Sequence, residues 1–246
     1  MSEAFDEHRE LCPDGACTGL IGTNGKCKVC GTPLGHSAGV AKSAAVQATA
    51  LPSRGQPGEG GFGYKDKWLA VQSRSPKAVI AALGLKNAQQ VSWARGVGQS
   101  GDSFAFVTEP IVGWILVKCS GFPDFGDERH PDLLTPRVVE LSRRLNADIQ
   151  AFVTHRVVEY HGWVWVHAGH VIRHFAYTID DGPFINEGVI TPAEKLLALQ
   201  LDDTGSDEFE FTPPDEKSVM RVAADWSVDP TTLPNTGSGW IAELPA

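Results

Sequence analysis

The stretch Ala147–Ile179, ADIQAFVTHRVVEYHGWVWVHAGHVIRHFAYTI, constrains the fold of this chain more than any other segment. β-Branched and aromatic residues dominate it, and they suit a pleated, half-buried surface. Three strands are expected, over 149–158, 159–167 and 170–179, with Ala168-Gly169 as a tight turn between the last two. Strands joined by tight turns pair antiparallel, whereas parallel pairing needs a long crossover. A mainly antiparallel sheet is therefore expected around this block.

The rest of 67–246 supplies further elements for it. Trp68-Leu-Ala-Val71 suits a short strand. Ser75-Pro76 opens a helix over Lys77–Leu83, with the serine as cap and proline in the first turn, and Gly84 stops it. Val91–Val97 reads as a strand, and Phe104–Thr108 and Ile111–Cys119 as two more, broken at Glu109-Pro110. In His130–Asn146, Leu133, Leu134, Val138, Leu141 and Leu145 recur at helical spacing, and Arg143-Arg144 complement the C-terminal dipole. Thr191-Pro-Ala-Glu194 starts a capping-box helix to about Leu199. Pro213–Ser227 carries another, with Val219, Val222, Ala223 and Trp226 on one face, and Gly239–Leu244 closes the sheet. Helices and strands come in clumps, which predicts an α+β domain with a mainly antiparallel sheet and flanking helices. No internal repeat is visible.

Five of the eight histidines, His155, His161, His167, His170 and His174, lie in the β-rich block. On one straight strand His155 and His167 would sit about 40 Å apart, so they cannot share an ion without an intervening turn. The 168–169 turn sets His167 opposite His170 and His174 opposite Trp163. His161, beside Glu159 and Asp180-Asp181, is the candidate catalytic base; the competing reading is of histidines packed among Trp163, Trp165, Phe175 and Tyr177. No nucleophile elbow, zinc-protease His-Glu-x-x-His or dinucleotide loop is present. Gly96-Val-Gly98-Gln-Ser-Gly101 matches the last only superficially, since a strand follows it, and a β-turn is the better reading. Cys119 ends an apolar strand and reads as a small buried residue.

The remaining four cysteines form a cluster, Cys12-x4-Cys17-x9-Cys27-x2-Cys30, followed by Gly31. Two cysteine pairs on two tight turns deliver the four thiolates of a structural zinc site. Gly31 permits the turn that aims amides at the sulfurs, and Leu20-Ile21 with Thr23-Asn24-Gly25 forms a small hairpin between the pairs. The quartet resembles a zinc ribbon or rubredoxin-type knuckle over about residues 10–34; its first pair departs from the usual C-x2-C spacing. The resemblance implies one structural zinc, which supplies folding energy that so short a segment cannot draw from a core. Only Lys26 and Lys28 stand in its loop, too few for a phosphate-binding surface.

Residues 35–66 are rich in Gly, Ala, Ser and Pro and poor in apolar bulk, and read as a flexible linker. The expected organisation is thus a ribbon at 1–34, the linker at 35–66 and an acidic α+β domain at 67–246. No run approaches the ~18 apolar residues of a membrane helix, and the first residues, MSEAFDEHRE, lack the basic and apolar parts of a secretory signal. The expected location is the cytoplasm, where clustered cysteines bind metal rather than pair as disulfides.

The chain carries 30 Asp and Glu against 21 Lys and Arg, a net charge of -9, which argues against a general nucleic-acid binder. Leu201–Glu216 concentrates that charge, with seven acids and no base. Within it Asp202, Asp203, Asp207, Glu208 and Glu210 alternate with Phe209 and Phe211, so carboxylates can steer a basic protein while the phenylalanines anchor in its pockets. The reading favoured is a non-catalytic protein-binding module. In general character such an acidic domain without catalytic motifs is similar to immunity proteins, which cover the basic active site of an antibacterial toxin. The alternatives are a hydrolase using the His-rich 155–181 region and a zinc-ribbon adaptor for nucleic acid.

Overall fold

The computed structural model of the protein describes Gly25, Lys26, Lys28, residues 61–197 and residues 212–245. The chain divides into two compact units, Met1–Pro52 and Ser53–Ala246, and the fold described below is that of the second. Its strands are β1 (Lys67–Gln72), β2 (Lys86–Ser92), β3 (Phe104–Thr108), β4 (Trp114–Lys118), β5 (Ile149–His155), β6 (Tyr160–His167), β7 (His170–Thr178), β8 (Gly182–Gly188) and β9 (Ser238–Glu243). Its helices are α1 (Pro76–Ala82), α2 (Trp93–Gln99), α3 (Thr135–Leu145), α4 (Pro192–Leu196) and α5 (Glu216–Trp226). The strands form one sheet in the order β2-β9-β3-β4-β1-β5-β6-β7-β8, and every pairing is antiparallel. The expected α+β class, with a mainly antiparallel sheet and flanking helices, is what the described residues show.

Helices cover both faces. Leu69, Val71, Ile115, Val117 and Val164 pack with α1 and α3 through Val79, Ile80, Val138 and Leu141. Trp68, Ala70, Phe106, Phe152 and Trp163 pack with α2 and α5 through Trp93, Val219, Val222 and Ala223. Successive residues of β1 therefore enter different cores, and Trp68, Leu69, Ala70 and Val71 are all buried. That explains why β1 lacks the apolar–polar alternation of a strand with one wet face. Aromatic stacking ties the second core together, with Trp68 over Phe152 at 5.0 Å and Trp163 over Phe175 at 4.8 Å between ring centroids.

Several elements differ from the sequence expectation. The expected strand Val91–Val97 divides into the end of β2 and the whole of α2. The helix forms because Trp93, Gly96 and Val97 share one face against the sheet, and Gly96 is required there: a Cβ would overlap the Phe106 ring. The superficial dinucleotide loop is thus the end of a helix rather than a β-turn. The expected helix from His130 begins only at Thr135. Pro136 needs the first turn, and the Asp132 carboxylate accepts from the backbone N–H groups of Leu134 and Thr135 at 2.9 Å each, which fixes the preceding residues as a cap. Leu133 is left exposed. Residues 61–66, assigned to the linker by composition, pack on the domain: Phe62 is buried edge-on against Trp68, and Asp66 pairs with Lys118 at 2.8 Å. β8 was not anticipated. No helix among the described residues is long and apolar enough to cross a membrane.

Candidate functional site

The expected zinc ligands Cys12, Cys17, Cys27 and Cys30 lie outside the described residues. So do the expected partner-binding residues Asp202, Asp203, Asp207, Glu208, Phe209, Glu210 and Phe211. The flanks of that acidic segment are described and have structural work. Asp215 caps α5, its Oδ1 accepting from Ser218 N at 2.8 Å. Glu216 is buried; its Oε1 accepts from Lys65 N at 2.8 Å, and its Oε2 faces the Arg156 guanidinium at 3.6 Å.

The histidine-rich hairpin is described in full, and it separates its histidines. His167 does stand opposite His170. A register break at Trp165-Val166 shifts the rest, so His174 faces Val164 and Trp163 faces Phe175, not His174. His155, His167 and His170 are exposed, and His167 Nδ1 pairs with Asp148. His161 points into the core shared with α5, and His174 into the core shared with α3. Among the described residues no three His, Cys, Asp or Glu side chains gather to hold a metal.

His161 is the centre of a polar row. Its Nε2 lies 3.2 Å from Glu159 Oε2, and its Nδ1 lies 2.9 Å from Thr154 Oγ1. A carboxylate only accepts, so Nε2 carries the proton and Nδ1 accepts from the Thr154 hydroxyl. This is the atom order of an orienting acid, a base and a hydroxyl nucleophile. Burial works against that use: His161 is 0% and Thr154 1% exposed. Desolvation holds the imidazole below its usual range, with the Glu159 carboxylate pulling it back up. Burial thus favours the neutral imidazole, which ties β5 to β6, while Thr154 Oγ1 also lies 3.5 Å from Glu216 Oε1 at the start of α5.

A second buried cluster lies on the same face, built on the Thr191–Glu194 capping box, whose burial against Arg173 and Trp163 no motif marks. Arg173 Nε donates to both Glu194 oxygens, at 2.8 and 3.0 Å, and both residues are completely buried. Trp163 Nε1 adds 2.8 Å to Oε1, and Thr191 N and Oγ1 add 2.8 Å each to Oε2. Arg173 Nη1 donates to the carbonyls of His174 and Glu187, while Nη2 is buried without a partner. A buried pair on this scale satisfies its carboxylate completely and clamps α4 onto β6 and β7. The available signal was an arginine set within the apolar run of β7.

Two of the concavities among the described residues are notable. One, of about 310 Å³, is lined by Phe62, Tyr64, Val97 and Thr231, with the Lys118–Asp66 pair in its wall. The other, of about 390 Å³, lies between α1 and α3 over Leu69, Phe122, Leu134 and Leu141, with Arg137 and Arg144 at its rim. Arg144 is engaged, donating to the Ala82 carbonyl at the end of α1 at 2.9 Å. Cys119 is buried, with desolvation pushing its thiol up, as expected for an inert packing residue.

No protein family, curated protein or solved structure matches this chain.

Proposed function

We propose that the protein is a non-catalytic binding module in the cytoplasm that docks a basic protein through its acidic segment, and that its specific form is immunity to an antibacterial toxin. One observation carries the reading. Residues 174–216 hold eleven Asp and Glu and a single base, Lys195, a net of -10 against -9 for the whole chain. The rest of the chain is thus close to neutral, and its negative field comes from one continuous run. Such a field raises the encounter rate with a cation and falls with ionic strength. Phe209 and Phe211 supply apolar anchors inside it. The cysteine quartet is proposed to hold one structural zinc.

Charge reversal at Asp207, Glu208 and Glu210 tests the docking. Binding to a small cationic nuclease is expected to weaken at least ten-fold and to lose most of its salt dependence. Unchanged binding would remove the acidic segment from the reading. Metal analysis tests the ribbon, with one zinc per chain expected and its release on Cys27→Ser. Zinc-free protein with four oxidised cysteines would sink it.

The Glu159–His161–Thr154 row supports the rival hydrolase reading, but no solvent reaches His161 or Thr154. His161→Gln keeps a hydrogen-bonding side chain and removes the base. A hydrolase would lose activity with folding intact, whereas a packing role changes stability alone.

A further inference from the structure

The cleft between α1 and α3 carries the opposite sign of charge to the chain around it. Its floor is apolar, made by Leu69 of β1, Phe122, and Leu134 and Leu141 at α3. Ala82 and Leu83, at the end of α1, form one lip and are only partly buried, so the apolar wall opens to solvent. The volume, about 390 Å³, falls within the ~300–1,000 Å³ of small-molecule sites, which pair an apolar lining with a few placed polar groups.

The charged side chains that line the cleft are Arg137, Glu140 and Arg144, all on α3. Spacings of three and four residues set them in one row along the helix, with about 10 Å of helix axis between the two arginines. Glu140 is neutralised by Arg143 at 3.0 Å. Arg137 is exposed, and its guanidinium has no hydrogen bond or ion pair among the described residues. Arg144 donates through Nη1 to the Ala82 carbonyl at 2.9 Å, which anchors it at the lip. The rim is thus net positive on a chain whose net charge is -9. A guanidinium presents a planar fork of donors that matches a carboxylate, and the floor beside it suits hydrocarbon. The other cleft lacks this combination, because its lysine, Lys118, already pairs with Asp66.

We propose that the α1–α3 cleft binds a small aliphatic carboxylate. The hydrocarbon chain lies along Leu134, Leu141 and Phe122, and the carboxylate sits on the Arg137 guanidinium. Arg144 holds the lip in place and adds to the positive field. The inference stands apart from the docking of a basic protein: it uses the opposite charge, and no residue of the run 174–216 lines the cleft.

The test titrates the full chain with octanoate, octanol and acetate by calorimetry. Octanoate is expected to bind about ten-fold more tightly than octanol, which lacks the charge, and acetate, which lacks the chain, to give no binding. Arg137→Gln removes no contact within the chain. It should bring octanoate down to the affinity of octanol and leave octanol itself unchanged. Ala82→Phe keeps the backbone carbonyl that Arg144 uses and fills the mouth of the cleft; it should abolish octanoate binding, with a thermal melt of the unliganded variant checking its fold. Equal affinity for octanoate and octanol overturns the proposal. So does octanoate binding that Arg137→Gln or a folded Ala82→Phe leaves unchanged, or the absence of octanoate binding at millimolar concentration.

Discussion

Glu194 receives four donor groups, from Trp163, Arg173 and the backbone and side chain of Thr191, with no contact to water. Removing one partner of such a pair leaves the other charge stranded. Glu194→Ala is therefore expected to lower stability by about 3–5 kcal/mol in urea denaturation, and Arg173→Met with Glu194→Leu by much less. His174 makes the matching prediction for pH. It packs 4.8 Å from Phe125, 3.5 Å from Thr135 Oγ1 and 4.0 Å from Asp132, and burial lowers its pKa to about 4, against an upward pull from Asp132 and a downward push from Arg173. Between pH 6.5 and 4 the unfolded chain binds this proton and the folded chain does not, so stability is full above that window and lost as pH falls through it. His161 is shifted the same way by burial and adds to the slope. His174→Leu should flatten the acid limb of a stability–pH curve by up to about 3 kcal/mol; an unchanged limb would assign the slope elsewhere. The presence of these histidines was legible in the sequence. Their separation onto opposite faces depended on one bulge that no residue pattern marks.

Among elements, the hairpin between β3 and β4 carries visible strain. Ile111 and Trp114 exchange backbone hydrogen bonds of 2.7 and 2.9 Å around Val112 and Gly113, both at positive φ, at +50° and +88°. That is a two-residue turn of the type that favours Asn-Gly, with a β-branched residue where asparagine belongs. Val112 is 71% exposed, so nothing is lost by replacing it. Val112→Asn should raise stability by about 0.5–1 kcal/mol in thermal melts. Elements with strong local chemistry were readable: α1 from Ser75-Pro76, α4 from its capping box, and the β6–β7 turn from Ala168-Gly169. β8 was hidden because Gly182-Pro-Phe-Ile-Asn-Glu-Gly188 is written in turn residues; its strand state comes from pairing with β7, a tertiary effect. α2 was misread for a related reason, since Gly96 is suited to the helix by the Phe106 ring that fills the space beside it.

For the whole molecule, the class followed from clumped elements and short connections, and the antiparallel sheet bears that out. The strand order did not follow, because β1 takes the centre between β4 and β5, and no local signal records a pairing across so much intervening chain. Charge was legible as a total and as its concentration in Leu201–Glu216. Its concentration gained meaning once the run 174–216 was seen to include both an edge strand and the flanks of α4 and α5. The site residues expected from sequence fall outside the described residues, so the docking proposal is supported by the charge of that run alone.

β9 follows β1–β8 in sequence, yet it is an interior strand, lying between β2 and β3. During translation β2 therefore waits, with its inner edge unpaired, until β9 emerges. A chain stopped after Gly237 should show this directly. It is expected to lose cooperative unfolding and to be cut by protease within residues 86–92, while the β5–β7 hairpins keep their amide protection. The order of synthesis thus sets a checkpoint: the sheet closes only when β9 slots into place.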